Sequence, residues 1–294
     1  MVTSITDAEG NTSRFEYDIL GRVTKKINPD LTEVEAVYND QNNYITIYDE
    51  LDHYIIKYYD GIGRLTKTEW YISPTSFLTE TYTYNYLDKV VTRTDPGGHV
   101  YFCEYDSHGR PIKIYNPDST YRQVHYVDTT GTVTVIDENQ HKKEYHYNRA
   151  GQLVWVKEYT DSANYYLTQY TYDSSGNLTS FTDANGNTTF YEYDSLFGVT
   201  RVTYPDSTVE TFSYDAAGNV LSRTDADGTT EFTYNAISQL LSAQYPNQTS
   251  ITFEYDANGN RTLMTDPEGT TSHIYDNRNR LISETRLIDL ISIL

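Results

Sequence analysis

The sequence predicts an all-β fold: a repetitive antiparallel β-hairpin meander forming a long curved or spiralling sheet. Three observations predict it. A Tyr-Asp or Tyr-Asn pair recurs about every 21 residues. An apolar–polar–aromatic alternation precedes each pair, and a glycine turn follows it. Aromatic skew points the same way: 31 Tyr against 2 Met and 1 Cys in 294 residues marks one small pattern copied many times.

The marker pair begins at Tyr17, Tyr38, Tyr59, Tyr84, Tyr105, Tyr147, Tyr172, Tyr193, Tyr214, Tyr234, Tyr255 and Tyr275. Tyr126 keeps the phase but is followed by Val127. Spacings are 21 or 20 residues, with two of 25, so thirteen units fill residues 1–280. A longer period overlies the short one. Related segments begin at Asp7, Asp95 and Asp183, each 88 residues after the last. Residues 281–294 form a separate apolar tail or cap. A helix, a final strand and the stub of another repeat are all open readings for it.

The elements of one unit follow from its residues. Two positions before the marker stands Phe15, Tyr82, Tyr191, Phe212 or Phe253, with polar Glu16, Thr83, Glu192, Ser213 or Glu254 between. Such alternation is a strand with one buried face. Cys103 holds the inward phase in its unit and is expected to be a small buried residue. After the marker comes Asp-x-x-Gly. The Asp can bond its own backbone and the Gly supplies positive φ. A second strand starts at Val23, Leu65, Val90, Leu153, Leu178, Val199, Val220 or Leu240. It ends in a turn such as Pro29-Asp30, Pro117-Asp118 or Pro205-Asp206. The two 25-residue spacings lengthen a hairpin by two residues per strand, which keeps every side chain on its face. The 20-residue spacings lose one residue, to be absorbed in a turn or bulge. At Asp194, Leu196-Phe197-Gly198 reads as one residue too many before Gly, predicting a bulged or three-residue turn.

Composition narrows function. The net charge of −20 argues against nucleic acid or an anionic membrane surface as partner. Cys103 is alone, so the chain holds no internal disulfide. The polar start MVTSITDAEGN shows no signal peptide, and no apolar run is long enough to span a membrane.

The chemistry-bearing residues read as architecture. Asp recurs in every unit at a turn position, whereas an active site is needed once. Calcium is the alternative at DANGN 183–187, DADG 225–228 and DANGN 256–260. The twelfth position of the first loop is Asp194, however, not the Glu a calcium loop needs. His141 and His146 show no metal-ligand spacing, and nucleophile, phosphate and dinucleotide motifs are absent. Neither cofactor nor metal is expected. The sequons at Asn11, Asn177, Asn187 and Asn247 fall in turns and are read as chance matches.

The unit Y-D-x-x-G-R/N-L/V-T is clearest in YDILGRVT (17–24), YDSSGNLT (172–179) and YDAAGNVL (214–221). It resembles the RHS/YD-repeat family over about residues 1–280. That resemblance implies a β-sheet shell. Bacterial RHS and insecticidal-toxin proteins enclose a toxic C-terminal domain in it, and teneurins carry a related barrel on animal cell surfaces. It therefore implies a secreted or surface protein whose partners are flanking repeats or an enclosed cargo domain. The family's Asp-Pro-x-Gly-Leu cleavage segment is not matched. Asp266-Pro267-Glu268-Gly269-Thr270 and Asp95-Pro96-Gly97-Gly98 come nearest and read as turns. The chain is read as a piece of something longer.

Two functions are carried forward. The first is a non-enzymatic structural repeat segment that encloses or displays cargo. Its markers are Tyr17, Asp18 and Gly21; Tyr59 and Asp60; Tyr105, Asp106 and Gly109; Tyr172, Asp173 and Gly176; Tyr193 and Asp194; Tyr214, Asp215 and Gly218; Tyr255, Asp256 and Gly259. Exposed sheet edges would invite edge-to-edge self-association. The second is a carbohydrate-binding or adhesion module. Its candidate loops carry Trp70, Tyr71 and Phe77, and Tyr159, Tyr165 and Tyr166.

Overall fold

A computed structural model describes residues 1–73 and 76–288. Pro74-Thr75, at the tip of the first long hairpin, and the last six residues of the tail lie outside the described residues. The described chain has 27 strands and no helix, so no helix is long and apolar enough to cross a membrane. It divides into two compact units. The first holds residues 1–128 and 133–143; the second holds 129–132 and all that is described from Glu144 onward.

The first unit runs from the strand Ser4–Thr6 to Tyr121–Val127. Each strand pairs antiparallel with the next. The second unit repeats this from Leu153–Tyr159 to Leu281–Ile288. The described part of the tail is therefore a strand, Leu281–Ile288, paired with Gly269–Tyr275.

Most turns share one geometry. In the first, Asp18 N–H donates to the Arg22 carbonyl, Gly21 N–H donates to the Asp18 carbonyl, and Gly21 has φ 80°. This three-residue loop ends in a left-handed residue, which Gly adopts without a Cβ clash. The Pro-Asp turns are the same: Asn28 N–H reaches the Thr32 carbonyl, and Leu31 takes the left-handed place at φ 67°. The two short spacings are two-residue turns, in which Asp225 pairs directly with Gly228 and Asp266 with Gly269.

The three-residue turn expected after Asp194 is present, but it holds no extra residue. It has the ordinary length. Asp194 N–H donates to the Gly198 carbonyl, and Phe197 fills the left-handed place at φ 68°. No residue is extra: the glycine has moved one place on, and a bulky residue bears the strained backbone.

Both long hairpins lengthen, the second by the expected two residues per strand and the first by four and three. Leu153–Tyr159 and Tyr165–Tyr172 have seven and eight residues, against five and six in Leu178–Thr182 and Thr188–Tyr193. Leu65–Ser73 and Ser76–Tyr84 have nine each.

One feature lay outside the sequence reading. Most hairpins turned by the marker pair carry a bulge; the one at Tyr38 does not, with Tyr38 opposite Ile45 and Asn39 opposite Tyr44 in unbroken register. Glu16 pairs with Lys25 but Tyr17 with Val23, leaving Thr24 extra. The same shift follows Tyr59, Tyr84, Tyr105, Tyr172, Tyr193, Tyr214, Tyr234, Tyr255 and Tyr275. The extra residue is the last letter of the motif.

The expected buried face is only half-buried. Within each unit, strands touch only their sequence neighbours, so the sheet is one layer thick. The described apolar residues that reach full burial are Val124, Val156, Val202 and Ala243. Cys103 is half-buried rather than buried for the same reason.

Candidate functional site

The marker pair is the recurrent constellation of the chain, and its geometry decides between chemistry and support. Asp106 Oδ1 accepts the N–H groups of His108 at 2.9 Å and Arg110 at 3.0 Å, and Oδ2 accepts Arg110 Nε at 2.7 Å. Asp18 and Asp60 repeat this set. In Asp173 and Asp215 an Asn replaces the Arg, and Asn177 Nδ2 and Asn219 Nδ2 donate at 2.9 and 2.8 Å. The Arg110 backbone N–H, with its guanidinium, holds the Asp106 carboxyl below the ordinary range. The Asn177 amide does the same for Asp173. Carboxylates held this way stay ionised and spend their lone pairs on the turn. Asp194 likewise caps Leu196 and Gly198 N–H at 2.8 and 2.9 Å.

The marker tyrosine does a second task. On the far side of each bulge the ladder to the next strand stops early. The pairing of Val90–Thr94 with Val100–Tyr105 ends at Thr92–Phe102. Beyond it, Tyr105 Oη donates to the Val90 carbonyl at 2.7 Å. Tyr172, Tyr193, Tyr214 and Tyr255 latch onto Leu153, Leu178, Val199 and Leu240 in the same way, at 2.8–2.9 Å. A backbone carbonyl freed by the bulge is thus satisfied by the hydroxyl of the following repeat. Burial pushes the Tyr105 hydroxyl up to about 12, so it is a donor at neutral pH.

Where the motif has Arg, a further contact crosses between repeats. Arg22 lies over the Tyr38 ring at 4.0 Å and bonds Asp40 at 2.6 Å. Arg110 lies over Tyr126 at 4.2 Å and bonds Asp128 at 2.6 Å. Arg64 repeats this with Tyr84 and Asp88.

The aromatic candidates lie in strands rather than turn tips. Tyr48, Tyr54, Tyr71 and Phe77, from successive strands, form a ladder with ring centroids 5.3, 4.2 and 5.9 Å apart. Beside it, Trp70 and Tyr71 join Tyr48, Asp49, His53, Tyr54 and Ile55 around a cavity of about 330 Å³. Tyr48, Asp49, His53 and Tyr54 escaped the sequence reading. Their signal was the turn that makes Tyr48 and Tyr54 a cross-strand pair. Tyr159 and Tyr165 form the matching pair in the second unit, 5.5 Å apart, and Tyr166 is exposed.

No group of three or more His, Cys, Asp or Glu side chains is placed to hold a metal among the described residues. The carboxylate of Asp183 in DANGN is taken by Asn185 N–H and by Asn187 N–H and Nδ2. Three sequon residues spend their amides on the turn Asp: Asn11, Asn177 and Asn187.

This grammar of turn, bulge and latch can be set against known proteins. The teneurin YD-shell family model matches residues 127–287, and the RHS repeat model matches residues 1–33. The chain belongs to the RHS/YD-repeat shell family. This shell segment is 29% identical to human teneurin-4 over 147 residues, and equally to mouse teneurin-4. The match covers 47% of the chain and 4% of teneurin-4. The crystal structure of TcdB2-TccC3 shares the fold at a TM-score of 0.67 and 14% identity, over 96% of the shell segment and 18% of that chain. The family is a structural shell type, and the latches described above are the joints of the wall.

Proposed function

We propose that this chain is a non-enzymatic wall segment of a larger secreted or surface RHS/YD-repeat protein, whose sheet encloses or displays a cargo domain. One observation carries the reading. The groups that could do chemistry, the marker Asp and Tyr, are spent on turns and inter-repeat latches in repeat after repeat. Flanking repeats or cargo of the same polypeptide are the partners this implies. The test is an immunoblot of the source with an antibody against this segment. A band several times the 33.9 kDa of the chain supports the reading. A band near that mass overturns enclosure.

A second reading rests on the Tyr48–Tyr54–Tyr71–Phe77 ladder and its cavity. Stacked rings beside Asp49 and His53 suit the apolar faces and hydroxyls of a carbohydrate. Glycan-array binding that Tyr54→Ala abolishes would support it; binding that survives would remove this site.

A further inference from the structure

Three tyrosine pairs stand outside the latch system. Tyr44 lies directly opposite Tyr58, Tyr115 opposite Tyr121, and Tyr159 opposite Tyr165, each pair within one hairpin. Their ring centroids are 5.5, 5.4 and 5.5 Å apart. In each pair one hydroxyl donates to a carboxylate: Tyr58 to Glu69 at 2.8 Å, Tyr115 to Glu104 at 2.9 Å, and Tyr159 to Glu144 at 2.7 Å. A lysine lies over one ring of each pair. Lys67 is 3.9 Å from the Tyr58 ring, Lys113 is 3.9 Å from Tyr121, and Lys157 is 4.3 Å from Tyr165. The marker tyrosines differ in both respects. Tyr105, Tyr172 and Tyr193 donate to backbone carbonyls, and the residues opposite them are Pro111, Leu178 and Val199.

We propose that these three pairs are sites of oxidative tyrosine–tyrosine coupling, each closing a covalent staple across its hairpin, with hydrogen peroxide and a haem peroxidase as the oxidant. Each tyrosine of a pair loses one electron to the peroxidase and its phenolic proton to a base. The two phenoxyl radicals join through a ring carbon beside each hydroxyl. The hydrogen on each joined carbon then leaves as a proton, and each oxygen regains one. Two phenols thus lose two electrons and two protons in all, and one hydrogen peroxide takes them up to give two waters.

The geometry selects these pairs over the other tyrosines. Directly opposed side chains on neighbouring strands are the closest that a sheet offers, so coupling needs only a swing of the two rings. Removing an electron from a phenol makes its proton strongly acidic, and that proton must go somewhere. A carboxylate can take it; the backbone carbonyl that holds a latch hydroxyl is an acceptor of hydrogen bonds but no base. The lysines sharpen the requirement. An ammonium over the ring opposes a positive charge there, so the electron leaves readily only if the proton leaves with it. Burial holds the Tyr58 hydroxyl up at about 12, so at neutral pH it still carries the proton that Glu69 would receive. Tyr165 is 41% exposed and the other five rings are half-buried, within reach of a surface oxidant. With Cys103 the lone cysteine, tyrosine is the residue from which this chain could draw covalent cross-links within itself.

The experiment treats the whole chain with a haem peroxidase and limiting hydrogen peroxide, then maps cross-linked peptides by mass spectrometry. The expected result is dityrosine fluorescence in a chain that keeps its monomer mass less two hydrogens per link. The first links should join Tyr44 to Tyr58, Tyr115 to Tyr121, and Tyr159 to Tyr165. Tyr48 and Tyr54 supply a comparison within the same molecule. They are directly opposed with rings 5.3 Å apart, and neither hydroxyl is seen to donate to a carboxylate. Their link should form later. Glu104→Gln should lower the yield at Tyr115–Tyr121 by about tenfold or more, the least that a positioned base ordinarily contributes, and leave Tyr159–Tyr165 unchanged. Glu144→Gln should do the reverse. Links that mainly join separate chains, links that form first at the marker tyrosines or at Tyr48–Tyr54, or yields indifferent to both Gln variants would overturn the proposal. The inference goes beyond the wall reading. That reading fails on native mass and this one on the map of links, so the two failures cannot be confused.

Discussion

The two units build the same hairpin from different side chains. In the first, the turn closes with Arg, and Arg22, Arg64 and Arg110 each reach the next repeat's ring and carboxylate. In the second, Asn177 and Asn219 close their own turns, Asn260 closes its own and also donates to Asn279 of the next repeat, and only the last turn closes with Arg, Arg280 on Asp276. The position before the marker differs in parallel. It is Glu16 facing Lys25 and Glu104 facing Lys113 in the first unit, but hydroxyl pairs Thr171–Ser180, Ser213–Ser222 and Thr233–Ser242, each at 2.6 Å, in the second. Thr83–Thr92 and Glu192–Arg201 cross the rule in each direction. What stays constant across both units is the Tyr latch. Polar dressing is therefore interchangeable, while the latch onto a carbonyl freed by the bulge recurs in both units.

The largest expected effect is on pH, and it should not distinguish the units. Burial raises the hydroxyls of Tyr105 in the first unit and Tyr172, Tyr193 and Tyr214 in the second. A raised phenol contributes stability that is full below the unfolded value near 10 and is lost as pH rises through the folded value. Far-UV circular dichroism should fall in both units as pH rises above 10, with the first unit's loss running up to about 12, the value reached by Tyr58 and Tyr105. At the acid end, Asp18, Asp106, Asp173 and Asp215 all sit below the ordinary carboxylate value. Their contribution is present above about pH 4 and lost as pH falls through the depressed values. A wall that holds through pH 12 would deny the latch its role.

Next comes a change that should break the second unit alone. A Cβ on Gly269 would stand 2.0 Å from the Leu287 carbonyl oxygen, in a two-residue turn of this unit. Gly269→Val should cost about 3–5 kcal/mol of that hairpin in denaturant titration. Gly186→Ala meets nothing within 4 Å and should cost about 1 kcal/mol, from its φ of +84° alone.

Smaller changes sharpen the contrast. Tyr105→Phe and Tyr193→Phe should each lose about 1 kcal/mol, alike in both units, since each removes one hydrogen bond and leaves a carbonyl unpaired. Phe197→Gly should gain about 1 kcal/mol by relieving a left-handed bulky residue. Smallest of all is the exchange of dressing. Arg110→Asn keeps the turn closed but removes the bridge to Asp128, and should lower the melting temperature slightly, less so in high salt. A larger drop would mean that the first unit depends on its Arg ladder.

Much of this was legible in the sequence because period and parity are local. The turn Asp, the left-handed Gly and the two-residue lengthening of the second long hairpin follow from spacing alone. The bulge was hidden because Thr24 alternates acceptably until its pairing partner is known. The burial of Cys103 was overestimated because alternation marks a face without saying whether anything covers it. Phe197 misled because positive φ was assigned to Gly alone, when the turn geometry forces it on whatever stands there. The Asp49–His53 turn and its neighbouring rings could not be assembled from one unit, since they come from successive strands.

The central claim is that the marker tyrosine fastens one repeat to the next. Hydrogen exchange of backbone amides in Tyr105→Phe, read along the whole chain, tests it most directly. The account predicts faster exchange in Val90–Thr94, Val100–Tyr105 and Pro111–Tyr115, with distant strands unchanged. Unchanged exchange in those three strands would contradict it.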